Sequence, residues 1–241
     1  MFRPLAMFVG LRYSHAKHKN RFVSFISIAS ILGISLGVAV LIVGLSAMNG
    51  FEKALRDQLL SVIPHGELQM VNGSFDDLES TLRQVEAHQG VISATPYLTF
   101  SALLQKDNQM KALQVRAISP ESERNVTSIE RYIKEGDWSL LDAGKRSLIL
   151  GKNVADKLGV SVGDSLSLLL PQKQIGKGLK TPRTAKFKLV GVFEMGGQLD
   201  SALAFIHIED GKQLLMMEEA NAIAFKVDNI LDAQNIVRAV G

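Results

Sequence analysis

From Phe22 to Phe51 the chain runs thirty residues without a charged side chain, and Ile, Leu, Val, Ala, Gly and Ser make up most of the run. As helix, about 20 apolar residues cross the hydrocarbon core of a bilayer, so this run is long enough to span one with tilt. A core helix of a soluble protein seldom goes so far without a charge. A cleaved signal peptide fits worse. Its apolar region covers roughly 7–15 residues and ends in a small-x-small site, whereas this run ends in Ala47-Met48-Asn49-Gly50-Phe51. The reading is an uncleaved transmembrane helix over 22–63. Its last turns stand clear of the lipid, with Phe51, Leu55, Leu59 and Leu60 on one face and Pro64 as the stop.

The charges orient that anchor. Arg3, Arg12, Lys17, Lys19 and Arg21 precede it, and the first acid is Glu52. Basic residues stay on the cytoplasmic side, so residues 1–21 are read as cytoplasmic and everything after about 52 as outside the cytoplasm. Within that segment, residues 4–15 place Leu5, Phe8, Val9 and Leu11 so that they can rest on lipid while the basic residues meet anionic head groups. An interfacial helix is expected there, with a frayed basic tail as the alternative. Without the five basic residues, Lys plus Arg falls from 27 to 22 against 24 Asp plus Glu, and the net charge from +3 to −2. The remaining domain has no basic face of the kind that binds nucleic acid. Hydrophobic residues at 46% suffice for a core, and the absence of cysteine excludes disulfides and cysteine zinc sites.

The span also carries small residues at helical intervals: Ser30, Gly33, Gly37, Gly44 and Ala47. Glycine costs about 1 kcal/mol against alanine in a helix, and a lone tether gains nothing from it. A small-residue face lets a second helix approach closely, so helix packing is the expected role.

After Pro64 the pattern is α+β. Strands are expected at 66–71, 91–104 with an interruption near Pro96, 113–118, 147–150, 165–170, 187–193, 201–208 and 222–227. Helices are expected at 76–89, with Asp76/Asp77 at its start and Gly90 at its end, at 152–158, at 209–216 and at 232–240. The order strand, helix, glycine, strand at the beginning returns at the end. This suggests one subdomain over 64–118 and 220–241, of split βαβ type, with a β-rich subdomain over 119–219 inserted in it. By that template a strand should follow Gly241, so a longer chain is expected; a naturally short chain with a docking helix is the alternative.

Catalytic patterns are lacking. No GxxxxGK[ST] loop, HExxH pair or GxSxG elbow occurs, and His15 and His18, one helical turn apart, stand among basic residues where solvation is the expected state. Asp76/Asp77 and Glu218/Glu219 fit a helix start and a solvated turn.

Several blocks carry a resemblance. GLRYSHAKHKNRFVSFISIASILGISLGVAVLIVGLSAMNGFEKAL followed by VIPHGEL, then ILGKNVADKLGVSVGDSLSLLLP and GGQLDSALAFI, resemble the lipoprotein-releasing permeases of Gram-negative inner membranes. These are the LolC/LolE family within the MacB-like class of ABC transporter permeases, and LIVGLSAMNGFE, PHGE and GGQLD lean toward the LolE branch. The resemblance covers about Pro4 to Gly241. It implies one span, a periplasmic domain of two subdomains and further spans beyond this sequence.

It further implies a permease without catalysis or cofactor of its own, paired with a LolC-like permease and a LolD-like ATPase dimer that binds ATP. Such a complex extracts outer-membrane lipoproteins from the inner membrane and hands them to a LolA-like periplasmic carrier. Whether the permeases pair as a heterodimer or a homodimer stays open. Burial of an acyl chain is worth about 0.8 kcal/mol per CH₂, so extraction needs an apolar receiving surface. Val43, Ala47, Met48, Phe51 and Leu55 recur at helical spacing at the outer end of the span and are the candidate acyl contacts, packing against a neighbouring helix being the alternative. Residues 171–182 stand where LolC-type permeases carry a hairpin that grips the carrier. Lys173, Lys177 and Lys180, with Arg183, do not match that hook residue for residue, so a solvated hairpin competes with carrier or partner contact. Two other classes remain: a MacB-like permease for export or signalling, and a single-span anchored binding module.

Overall fold

The computed structural model describes residues 9, 10, 12, 21–60, 64–70, 75, 77–171, 183–229 and 233–240, apart from the side chains of 21, 23, 24, 53–60, 234, 235, 239 and 240. It divides into two compact units, Met1–Asp57 and Gln58–Gly241. The expected interfacial helix over 4–15 lies outside the described residues except at 9, 10 and 12, which are helical. Helix α1, Arg21–Leu60, is 40 residues long. Its stretch Phe25–Glu52 is 28 residues of membrane-crossing length and composition, and 0% of its most apolar window is buried. A soluble core helix would bury a face.

The second unit begins with a split βαβ. Strand β1 (Gly66–Gln69), helix α2 (Leu78–Ala87) and strand β2 (Val91–Lys106) follow one another. Both strands pair antiparallel with β9 (Ala222–Val227), which lies between them. Asp77 starts α2 by accepting the Ser80 N–H at 2.9 Å, the capping role its sequence position suggested. Helix α6, Ala233–Val240, contributes Ala233 and Ile236 to the core that Val85, Ile223 and Phe225 share.

Strand β2 is continuous for 16 residues and passes straight through Pro96, where the sequence suggested a break. Pro96 pairs with Ile223 of β9, and β3 joins on the other side only from Leu98. Pro96 therefore falls where β2 has a single strand neighbour, one of the settings a strand proline tolerates.

The outer half of β2 enters a second arrangement with β3 (Gln109–Ile118), β5 (Ser147–Gly151), β6 (Ser165–Leu170), β7 (Arg183–Phe193) and β8 (Leu203–His207). Pairing runs from β2 to β3, β8, β5, β7 and β6, and β6 returns to β2, so six strands close into a barrel. Alternation puts Leu113, Val115, Leu166, Leu168, Ala204 and Ile206 into one buried cluster. All five residues of β5 are buried, which matches its uninterrupted apolar run. Strand β4 (Ile133–Gly136) pairs with β7 outside the ring. Trp138, Phe193 and Phe205 stack edge to face at 5.8 and 5.6 Å in a further cluster.

Three short helices complete the unit: α3 (Pro120–Val126), α4 (Lys152–Leu158) and α5 (Ile208–Leu215). The expected strand 201–208 is a 3₁₀ turn, Leu199–Ser201, followed by the shorter β8. The expected strand 187–193 starts four residues earlier, at Arg183. Strand β3, grouped above with the subdomain ending at 118, bonds to β8 and to the outer half of β2, so hydrogen bonding divides the two sheets inside β2.

Asn221 joins those sheets. Its side chain accepts the Thr99 N–H and donates to the Thr99 carbonyl, both at 2.9 Å, extending the ladder where β9 begins. Asn221→Ala leaves both groups without partners. The expected loss is about 2 kcal/mol, read as a lower urea midpoint in the fluorescence of Trp138, the only tryptophan of the chain.

Candidate functional site

Each residue of an α-helix turns by about 100°. On that wheel Ser30, Gly33, Gly37, Val43, Gly44, Ala47, Met48, Phe51 and Leu55 all fall within an arc of about 140°. The helix-packing set and the acyl-contact set are therefore one face, small along its first half and bulky along its second. Cβ atoms added at Gly33, Gly37 and Gly44 would meet nothing within 4 Å. Val43, Met48 and Phe51 are exposed at 67%, 69% and 67%. The Leu55 side chain lies outside the described residues. Such a face can receive another helix along its glycines and a flexible apolar chain against Met48 and Phe51.

Lys173, Lys177 and Lys180 also lie outside the described residues. Arg183, the basic residue that follows them, has a structural task. Its Nη1 donates to the carbonyls of Leu214 and Leu215 at 3.4 and 3.3 Å, at the C-terminal end of α5 where a cation is favoured. The GGQLD block is likewise architectural. Gly196 and Gly197 take φ of +91° and +80°, and buried Asp200 accepts the N–H groups of Met195 and Gly196 at 2.9 and 2.8 Å. The turn lies against Gly151, where a Cβ would come 2.4 Å from the Asp200 carbonyl oxygen.

A charged cluster on the outer face of the barrel, with Arg116 and Glu123 at its buried centre, has no counterpart in the sequence pattern. Strands β3 and β8 are parallel neighbours, with Gln114 beside Leu203 and Arg116 beside Phe205. Arg116 donates from Nη1 to Glu67 of β1 at 2.6 Å and lies 4.0 Å from the centre of the Tyr97 ring. Glu123 of α3 is 1% exposed and accepts the Thr127 hydroxyl at 3.0 Å. Arg116 Nε and Nη2 and Glu123 Oε2 are buried without a hydrogen-bond partner. Glu67, Arg116, Glu123 and Thr127 line a cavity of about 200 Å³ whose apolar lining includes Ile129, Met195 and Leu199. Strand alternation marks Arg116 only as an outward residue. Its partners stand 49 residues upstream and seven downstream, at no spacing that periodicity detects.

Burial works against the Arg116 charge, but Glu123, Tyr97 and Glu67 outweigh it and hold the guanidinium protonated. Burial raises the Glu123 pKa; Arg116 and the Thr127 hydroxyl oppose that without cancelling it. A carboxyl with a raised folded pKa binds its proton more tightly folded than unfolded. It therefore lowers stability above its folded pKa, and that loss disappears as pH falls below the ordinary carboxylate value. Glu123→Gln is expected to lack this acid-side gain. Its urea midpoint, compared with that of the parent chain, should be most favourable at neutral pH and lose that advantage as pH falls toward 4.5.

Among the described residues no group of three His, Asp or Glu side chains could hold a metal ion. The sequence model of the MacB-like periplasmic core domain matches residues 27–241. The lipoprotein-releasing system transmembrane protein LolC of Xylella fastidiosa strain 9a5c is 37% identical over 239 residues, 99% of this chain and 58% of that protein. LolE of Haemophilus influenzae strain Rd is 32% identical over 238 residues, 95% of this chain and 56% of that protein. The chain thus spans a little over half the length of these relatives. Both names occur among them, so the similarity is to the LolC/LolE pair and not to the LolE branch alone. The extracellular domain of the noncanonic ABC-type transporter YknZ from Gram-positive bacteria aligns with a TM-score of 0.48 at 11% identity, over 71% of this chain and 88% of that one. With residues 27–241 of its 241 matched, this chain belongs to the MacB-like periplasmic core domain family.

Proposed function

We propose that this chain is the first span and periplasmic region of a permease subunit that releases lipoproteins from the inner membrane. The carrying observation is the 37% identity to a lipoprotein-releasing LolC over 99% of the chain. The bare face of α1 supports it. Lipid release needs an apolar surface that admits a chain of no fixed shape, and Met48 and Phe51 provide one above a glycine face suited to a second permease helix. In this reading the N-terminus is cytoplasmic and the barrel periplasmic. ATP is bound and hydrolysed by a separate ATPase dimer, the second permease is LolC-like or a second copy, and a periplasmic carrier receives the product. The loop 171–182 is a candidate carrier contact through Lys173, Lys177 and Lys180.

The test is a photo-crosslinking amino acid placed singly at Met48, Phe51 and Ile42 in native membranes. Ile42 falls on the opposite side of the helix wheel. Lipoprotein adducts are expected at Met48 and Phe51, at least several-fold above Ile42, and should decline when ATP drives release. Equal labelling at all three positions, or none with lipoprotein, would overturn the proposal.

A further inference from the structure

The cavity on β3 and β8 is built for a particular kind of group. At about 200 Å³ it exceeds the roughly 150 Å³ that holds a benzene ring and falls short of the roughly 300 Å³ of the smallest drug-sized pockets. Its occupant is therefore about one residue in size. Its floor is divided by the strand register, with Arg116 on β3 beside Phe205 on β8. Adjacent strands lie about 4.8 Å apart, so a polar group and an apolar group must sit side by side in the occupant, within one residue's reach.

The polar half has specific vacancies. Glu123 Oε2 is a buried acceptor without a donor, and Arg116 Nε and Nη2 are buried donors without an acceptor. Arg116 and Glu123 both line the cavity. Glu67 and Glu123 already supply negative charge to the guanidinium, so an anionic ligand would bring a third carboxylate beside buried Glu123. A cationic ligand would face Arg116. A neutral amide brings one N–H and one carbonyl and no charge, which is what the free atoms call for. The apolar half asks for a hydrocarbon beside that amide.

We propose that this cavity docks an extended peptide from another protein and takes one apolar residue. The N–H of that residue donates to Glu123 Oε2, its carbonyl accepts from Arg116, and its side chain packs on Phe205 and Met195. The proposal stands apart from lipoprotein release, and its failure would leave that reading untouched.

The test uses the full chain in detergent, labelled with ¹³C at its methionine methyl groups. The Met195 signal is assigned by its loss in Met195→Leu. The probe is N-acetyl-leucine N-methylamide. The Met195 signal should shift saturably, while those of the exposed Met110 and Met216 stay in place. N-acetyl-leucine, the same side chain with a free carboxylate, should bind at least tenfold more weakly. Leu199→Trp, which fills the cavity from a partly exposed turn, should weaken binding at least tenfold. Absence of a saturable shift, parallel shifts of all three methionines, or tighter binding of the free acid would each overturn the proposal. The amide-against-acid comparison needs no variant, so it decides even where Leu199→Trp fails to fold.

Discussion

Gly136→Ala is expected to detach β4 from β7 and to lower the stability of the domain sharply. Gly136 ends β4 with φ +78°, and a Cβ there would lie 1.9 Å from the Val190 carbonyl oxygen and 2.7 Å from the Gly191 Cα. The three nearest atoms are all backbone of β7, which is also paired with β5 and β6. No side chain can turn away, so β4 must leave the sheet. Left-handed strain contributes roughly 1–3 kcal/mol and overpacking a similar amount, for an expected loss on the order of 4 kcal/mol. Detachment of β4 also opens the pocket around Trp138, which is 1% exposed. The measurement is urea denaturation followed by Trp138 emission. A red-shifted native spectrum and a collapsed midpoint are expected, and an unchanged midpoint would show that β4 is not held as described. Gly144→Ala is the internal control. It shares a positive φ of +74° but has nothing within 4 Å of its Cβ, so only the strain of its backbone is felt.

The second large effect concerns Arg116. Arg116→Met removes the guanidinium and leaves Glu123 buried without a counter-charge. Breaking a buried pair on one side typically costs about 3–5 kcal/mol, whereas replacing both partners with apolar groups is often neutral or stabilising. The expected result at neutral pH is a loss of that order for Arg116→Met and recovery of most of it in Arg116→Met/Glu123→Leu. The single-variant loss should shrink toward acid pH, because Glu123, already raised by burial, then takes up a proton and no longer needs the cation. Glu67 is the weaker partner, its side chain being 36% exposed, so water compensates it when Arg116 is gone. Urea midpoints of the parent chain and the two variants across pH separate these contributions. If the double variant is no better than Arg116→Met, the destabilisation comes from lost packing on Tyr97 and not from charge.

The local elements were legible because each has a local cause. The span follows from an uncharged run, α2 from its Asp77 cap, and the end of α4 from Gly159, which takes the left-handed conformation at the helix terminus. The split βαβ could be read because its order repeats along the chain. Closure of the barrel could not. It depends on Leu103 finding Leu169 and on Gln114 finding Leu203, partners far apart in sequence that leave no periodic trace. Pro96 misled for the same reason: a proline's effect on a strand depends on whether a neighbour lies at its N–H side, which is a tertiary fact. On α1 the small-residue face and the acyl-contact set were read as two sets, and they unite into one face on a helix that runs without interruption from Ser30 to Leu55. The cavity was missed altogether, because Glu67, Arg116 and Glu123 come from β1, β3 and α3 and are ordinary surface residues by local pattern.

One consequence belongs to β2 alone. Its 16 residues extend about 50 Å at strand rise, with one end sewn into the βαβ sheet and the other into the barrel. Bonds in antiparallel ladders stand perpendicular to the strand. A pull directed along β2 therefore loads many of them together, in shear, while a pull across it would open them one after another like a zipper. A load that enters one sheet along this strand reaches the other through the same continuous backbone. Mechanically, β2 is a tie-rod between the two sheets that share it.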